Sequence, residues 1–373
     1  MSRGVWLLLQ TISLNHRMNI AFFGSSLVSA YWNGAATYYR GLLSALAARG
    51  HEIVFYEPDA FGRQSHRDIP DPAYARVVVY ENSFDAMRRA LQSAKGADLI
   101  VKASGVGVFD SELEEGVTQL KTSANQIVFW DVDAPATLER MECDPSDAFR
   151  ALVPRYDGVF TYGGGSPVQN AYAALGAKFC EPIYNALDAR THFPGQRDER
   201  FTGDLGFLGN RLPDREERVC EFFLRAASAL PHKQFVLGGS GWDSHIELPT
   251  NVRQVGHVYT RDHNAFNATP LAVLNIARDS MARFGFSPAT RVFEAAGGAA
   301  CLVSDYWQGI EQFFEPDTEI LVAHDGDEVA ALLDNLSEER AHQIGRAALK
   351  RALSQHLYEH RAARVEDVLE GRI

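Results

Sequence analysis

The sequence has little cysteine, no long hydrophobic run and no excess of positive charge, and each shortage excludes a class of protein. Its four cysteines, Cys143, Cys180, Cys220 and Cys301, lie far apart in 373 residues and make no C-x-x-C pair. A disulfide framework and a zinc knuckle are thereby disfavoured, and a reducing, cytoplasmic setting is expected. No stretch approaches the roughly 18–20 apolar residues of a membrane span, so no integral membrane segment is expected. Set against 48 acidic side chains, 36 basic ones leave a net charge of -12. That field repels nucleic acid and anionic lipid, so an anionic ligand must be held by local basic groups.

What is present fits a folded enzyme-sized chain. The length suits two α/β domains of roughly 100–200 residues each, and 46% hydrophobic with 23% charged residues is ordinary globular composition. Residues 1–17 place Arg3 before a short apolar core with no small-x-small cleavage site after it. They read as an N-terminal extension, with the fold beginning at Met18.

From Met18 the pattern is strand, turn, helix, strand. NIAFF (19–23) is a short apolar strand, and Ala35, Tyr38, Tyr39, Leu42, Leu43 and Leu46 then recur at helical spacing before Gly50. Further apolar runs lie at 52–57, 76–80, 98–103, 126–130 and 158–162. Strands apolar on both faces and separated by helix-length segments require a parallel sheet covered on two sides. A proline-, glycine- and charge-rich segment at 194–204 reads as a linker. A second series follows, with strands at 204–209, 235–239, 271–276, 299–305 and 319–324 and a helix carrying Val219, Phe222, Phe223, Ala226, Ala227 and Leu230. The expected architecture is two Rossmann-like doubly wound α/β domains, 18–195 and 204–340, with C-terminal helices at 341–373 packing back across them.

The segment FGFSPATRVFEAAGG (284–298) carries the most chemistry. It reads as a loop entering a helix with Ser287 as N-cap and Pro288 at the first helical position. Ala289, Val292, Phe293 and Ala296 would face the sheet, leaving Ser287, Arg291 and Glu294 on the other side. A helix start at the carboxyl edge of a parallel sheet suits a diphosphate, and Glu294 one turn on could accept from two vicinal ribose hydroxyls. A surface Arg291–Glu294 pair is the plain alternative.

The stretch from Leu274 to Val322, together with WDVDAPATL (130–138), TYGGGSP (161–167) and DLGFLGNRLPDR (204–215), resembles the glycosyltransferases related to the spore-maturation protein CgeB. The resemblance covers nearly the whole chain from Met18. It implies the GT-B fold: two facing Rossmann domains, a nucleotide-sugar donor held mainly by the second and a hydroxyl acceptor by the first. It implies no obligatory metal and no cofactor beyond the nucleoside-diphosphate sugar. Related GT-B transferases often carry two glutamates eight positions apart; Glu294 matches the second, but Phe286 occupies the first.

Roles follow from chemistry and position. A departing diphosphate needs arginine, lysine or backbone N–H groups where no metal serves. Arg211 and Arg215 lie just after the first strand of the second domain, where the resemblance implies basic phosphate ligands, and are the phosphate candidates, Arg215 foremost; solvated loop arginines are the plain alternative. Arg278 resembles the family's LN-x-x-R block. Gly239 in GGSGW (238–242) would let a ligand approach backbone or simply make a tight turn. Asp131 and Asp133 lie at a strand's carboxyl end, and Asp133 in particular could deprotonate an acceptor hydroxyl or cap the next helix. Trp32, Asn33 and Gly34, and Gly163 in the TYGGG turn, are the expected acceptor-side residues. HLYEH (356–360) matches a metalloprotease string by letter, but a terminal helix explains it better, and no metal site is expected. The expected activity is transfer of a sugar from a nucleoside diphosphate to a hydroxyl acceptor. A nucleotide-sugar epimerase or hydrolase, or a non-catalytic binding protein on the same scaffold, are the alternatives.

Overall fold

The structure is a computed structural model that describes residues 17–242 and 247–372. The expected extension at 1–17 lies outside the described residues apart from Arg17. Thirteen strands form two all-parallel sheets among the described residues. The first contains β1 (Asn19–Phe23), β2 (Glu52–Asp59), β3 (Arg76–Glu81), β4 (Leu99–Ala103), β5 (Gln126–Asp131), β6 (Gly158–Thr161) and β7 (Cys180–Pro182), in the order β3-β2-β1-β4-β5-β6-β7. The second contains β8 (Leu205–Leu208), β9 (Phe235–Gly238), β10 (Val252–Gly256), β11 (Ala272–Asn275), β12 (Leu302–Asp305) and β13 (Leu321–Ala323), in the order β10-β9-β8-β11-β12-β13.

Two apolar layers sandwich each sheet. The helix Ala36–Ala48 buries Tyr38, Tyr39, Leu42, Leu43 and Leu46 against Phe22, Phe55, Val101 and Trp130, as its spacing predicts. The opposite face packs Phe23, Ile100, Ile127, Phe129 and Tyr172. In the second domain Phe207, Leu237 and Leu274 meet Val219, Phe222 and Phe223 from a helix that runs from Pro213 to Ala229 through a π-helical segment at Cys220–Leu224. Each large apolar side chain so enclosed contributes about 1.5–3 kcal/mol.

The strands β7 and β10 are not evident from hydropathy. Three-residue CEP is too short to show a period, and VRQVG is an edge strand with Arg253 and Gln254 exposed.

The chain crosses between domains twice, and the two crossings run side by side. Leu187 N–H donates to the His356 carbonyl (2.7 Å) where the chain returns. The long helix Glu338–Gln355 then ends, and Tyr358–Leu369 lies on the first domain. There Tyr358, Ala362 and Val365 join the first core. Buried Glu366 accepts from Arg49 Nε (2.7 Å) and NH2 (2.5 Å) and from His51 Nε2 (2.9 Å). His356 sits at the bend, and its Nε2 donates to the Phe313 carbonyl (2.9 Å). His360 Nδ1 accepts from the Leu357 N–H (3.1 Å). Both histidines of the HLYEH string are thus engaged in local hydrogen bonds.

Burial pushes His356 down to about 3, helped by the Arg361 charge. The fold therefore holds this ring neutral while the unfolded chain protonates it near pH 6.5, so the stability it contributes is present above that pH and falls as acid is added. His356→Gln should lose about 2 kcal/mol less than the parent chain between pH 7 and pH 5 in urea unfolding.

Candidate active site

Each sheet has one point where strand order reverses, between β1 and β4 and between β8 and β11. Ligands of open α/β sheets sit beyond the carboxyl ends at such points. The turn after β8 and the helix it enters carry Arg211, Arg215 and Arg218; the turn after β11 carries Arg278. A crevice of about 550 Å³ lined by Asp214, Arg215, Arg218, Arg278 and Arg283 of the second domain and Glu139 of the first opens between the two.

Arg215 is the most distinctive of these side chains. Its guanidinium lies 5.7 Å from the Phe207 ring centre and donates to the Asn210 carbonyl, while buried Nε has no acceptor. Burial lowers its pKa, Asp214 opposes this, and the neighbouring Arg291 and Arg278 charges lower it further. Clustered cations with buried N–H groups that lack acceptors leave room for an anion. Arg218 donates to buried Asp305 (2.6 Å), also with Nε unpartnered. Arg211 is held by Glu216 through two bonds of 2.7 and 2.9 Å. Arg278 donates to Asp214 (2.5 Å) and stands 3.6 Å from Asp133 across the domain boundary.

The helix carrying Glu294 runs Thr290–Gly297, with Ala289 at the N-cap and no side-chain cap bond. This corrects the expected start at Ser287. The Ser287 hydroxyl turns back to the Gly285 carbonyl (2.9 Å), and the Pro288 carbonyl accepts from Asn185 of the first domain (3.3 Å). The amides of the first turn thus have no side-chain acceptor, which is the property an anion site requires. Glu294 is buried, 3.3 Å from Arg291 NH1 and 3.7 Å from His192 Nε2. Burial alone would raise its pKa; the Arg291 charge foremost, with His192 and His263 contributing after it, outweighs burial and lowers it. His263 is pushed by burial, and next by Arg291, down to about 4.

His192 and His263 are the residues that sequence reasoning missed. They lie 102 and 31 positions before Glu294 (294 − 192 and 294 − 263), so no local spacing reports them. The segment just before the linker and the helix His263–Ala268 after β10 bring ligand atoms of all three within 4.8 Å. Arg291 already supplies a cation at the carboxylate, which disfavours a divalent ion there.

Several acceptor-side expectations are corrected. Asp131 is fully buried and accepts from Ser104 (2.8 Å), Thr137 (2.9 Å), Tyr172 (2.5 Å) and the Asp133 amide (3.1 Å). It fixes the end of β5 and cannot meet a substrate. Asp133 is 40% exposed in its side chain, makes no capping bond and stands beside Arg278, which lines the crevice. Buried Asn33 donates to the Ser26 and Ser29 carbonyls (2.8 and 3.0 Å) and accepts from Ser25 (2.8 Å), which makes it the staple of its loop. Trp32 stands 79% exposed with φ +47°, and Gly34 faces open space. Gly239, at φ +120°, presses on the Gly209 backbone, where a Cβ would come within 2.1 Å of the carbonyl oxygen. It serves loop packing.

The TYGGG turn and the loop before Glu294 meet face to face. Gly164 N–H donates to the Phe286 carbonyl (2.8 Å), and a Cβ on Gly163 would strike Ser287 Oγ at 2.8 Å. Gly163 is therefore a domain contact. The Phe286 ring fills the space between Gly165 and Gly309, so the position where related enzymes carry a first glutamate here seals the two domains together.

The comparisons agree with this geometry. Residues 215–367 match the family described as Glycosyl transferase-like. No curated protein matches the chain. Among solved structures, Anabaena HepE in complex with UDP and glucose aligns at TM-score 0.66 with 13% identity, over 95% of this chain and 100% of that one. Sucrose-phosphate synthase from Thermosynechococcus elongatus aligns at 0.68 with 15% identity, over 95% and 99%. An α-glucosyltransferase in complex with UDP and a 13-mer DNA aligns at 0.67 with 12% identity, over 95% and 100%.

Asp131 and Asp133 separate cleanly by experiment. Asp131→Ala strands three hydroxyls and an amide and should destabilise the fold by about 3 kcal/mol or more in urea unfolding. Asp133→Ala should change stability by less than about 0.5 kcal/mol. Residues 215–367 thus match a glycosyl transferase-like family model, and the two facing Rossmann-like sheets have the GT-B fold.

Proposed function

We propose that the protein transfers a sugar from a nucleoside diphosphate to a hydroxyl acceptor, with the donor in the interdomain crevice. The observation that carries this reading is the buried, unpartnered Nε of Arg215, which feels the charges of Arg278 and Arg291, together with the uncapped start of the helix that carries Arg291. The diphosphate lies on Arg215 and the Thr290–Arg291 amides, and the ribose diol on Glu294. The acceptor enters from the first domain past exposed Trp32. Its oxygen forms a bond to the anomeric carbon as the bond from that carbon to the diphosphate breaks. The electron pair leaves with the diphosphate, whose charge meets Arg215 and the helix dipole. Asp133 takes the acceptor proton. Arg278 holds Asp133 at the crevice, a positioning role read from their 3.6 Å separation.

UDP is the first nucleotide to test, because the similar solved structures include UDP and UDP-glucose complexes. The four free cysteines support a reducing compartment such as the cytoplasm. No helix among the described residues is long and apolar enough to cross a membrane.

UDP at about 100 times its Kd should stabilise the parent protein by about 2.7 kcal/mol, read as a rise in Tm. Arg215→Ala should abolish most of that rise and lower turnover by about 100- to 1,000-fold. Release of UDP from UDP-glucose should require an added acceptor; equal release without one would favour a hydrolase or epimerase.

A further inference from the structure

We propose that the acceptor is a saccharide and that the exposed rings of Trp32 and Phe61 form the platform on which it stacks. The proposal rests on the reading of the protein as a sugar transferase and names the acceptor class for it.

Among the described residues, six other than glycine have positive φ, and four of these are large aromatics: Trp32 (+47°), Phe61 (+56°), Phe109 (+56°) and Phe286 (+47°). A bulky side chain in this region is an outlier. Such strain persists only where the surroundings hold it, and it gathers at ligand sites. Phe286 joins the two domains. The other three lie on the loops that follow β1, β2 and β4, which are neighbours in the sheet. These loops therefore share one carboxyl edge with Asp133, which follows the next strand, β5.

Trp32 and Phe61 stand 79% and 56% exposed, whereas Phe109 packs on Phe84 with ring centres 4.9 Å apart. A chain of contacts links the two exposed rings. Trp32 meets Tyr31 edge to face at 6.2 Å, and Tyr31 stacks on His66 at 4.0 Å with 9° between the planes. His66 Nδ1 lies 2.8 Å from the carbonyl of Gly62, next to Phe61. Phe61 rests on Gly107, where a Cβ would come within 2.6 Å of its ring. Buried Arg63 donates to the Ser25 and Val106 carbonyls (both 3.2 Å) and so ties the three loops together. Ser104 extends the tie to Asp131 at the end of β5 (2.8 Å). The two rings thus project from a braced surface.

Charge and shape decide what covers them. The loops at 24–35, 60–75 and 104–109 contain two arginines and no lysine. Arg63 is buried, and Arg67 pairs with Asp71 (2.5 Å). Arg40 of the adjacent helix is held by Asp68 through two bonds of 2.7 and 2.8 Å. A nucleic acid stacks its bases where cations track its phosphates, so these rings do not suit one. The reaction needs a hydroxyl, and the rings need an apolar face. A sugar ring supplies both: C–H groups that meet the negative face of an aromatic ring, and hydroxyls around its rim, one of which becomes the nucleophile.

Acrylamide quenching of tryptophan fluorescence in the full chain tests the inference, because Trp32 is exposed while Trp130, Trp242 and Trp307 are buried. Trp32→Phe, which keeps a ring, assigns the signal. At least one of maltose, cellobiose, lactose and sucrose should shield Trp32 saturably. In isothermal titration that sugar should bind Trp32→Phe within about threefold of the parent affinity and Trp32→Gly at least about tenfold more weakly. Glycine adopts this φ freely, so Trp32→Gly should keep or raise the Tm, and its loss of binding cannot be ascribed to unfolding. Shielding by none of these sugars, or by a phenol, micellar dodecanol or an oligonucleotide instead, would overturn the inference. Undiminished sugar binding by Trp32→Gly would do the same. Where the parent chain binds UDP, each of these failures leaves the donor site intact; where no nucleoside diphosphate binds, the transferase reading falls and this inference with it.

Discussion

The whole site depends on one contact between two backbones, the hydrogen bond from Gly164 N–H to the Phe286 carbonyl at 2.8 Å. Backbone from separate domains approaches this closely only if side chains are absent on one side. Gly163, Gly164 and Gly165 provide that, because a Cβ on Gly163 would strike Ser287 and one on Gly165 would strike Phe286. Gly164 and Gly165 also adopt positive φ, +99° and +47°, which glycine allows at little cost. Phe286 is itself left-handed at φ +47°, a conformation that costs an aromatic residue on the order of 1–3 kcal/mol. It is held there by Gly165, Gly309 and the bond from its own N–H to the Gln308 carbonyl (2.6 Å). The contact sets the carboxyl edges of the two sheets against each other, and the crevice follows.

From that constraint the division of labour in the site becomes intelligible. The second domain contributes almost all the positive charge, through Arg215, Arg218, Arg278 and Arg291, in a chain whose net charge is -12. The global field therefore opposes an anion while the local field attracts one. This concentrates anion binding at one place and leaves the remaining surface unfavourable to polyanions. The first domain contributes Asp133, exposed beside Arg278, and an internal scaffold of Asp131, Ser104, Thr137 and Tyr172 that fixes the strand end before it.

The sequence was most informative where burial is two-sided. Apolar runs such as LIVKA and QIVFW located β4 and β5, because strands covered on both faces are nearly continuously apolar, the buried Lys102 being paired with Asp110. It was least informative for β7 and β10, whose brevity and exposure erase the pattern. The same division holds in the site. Arg215, Arg278 and Glu294 could be singled out because strand ends and one helix carry them in a recognisable local context. The tandem Asp131 and Asp133 were legible as a strand end, but alternation alone cannot tell which of two carboxylates the neighbouring hydroxyls enclose. Ser287 looked like a helix cap by residue type, yet its hydroxyl satisfies Gly285 instead, and the helix starts at Thr290. His192 and His263 had no local signal, since only the segment before the linker and the helix after β10, folded together, bring them to Glu294.

The most direct test of the account is a crystal structure of the full chain with UDP. The account predicts the diphosphate within hydrogen-bonding distance of Arg215 and the Thr290–Arg291 amides, and the ribose hydroxyls on Glu294. UDP bound elsewhere on the protein, with Arg215 and Glu294 untouched, would contradict it.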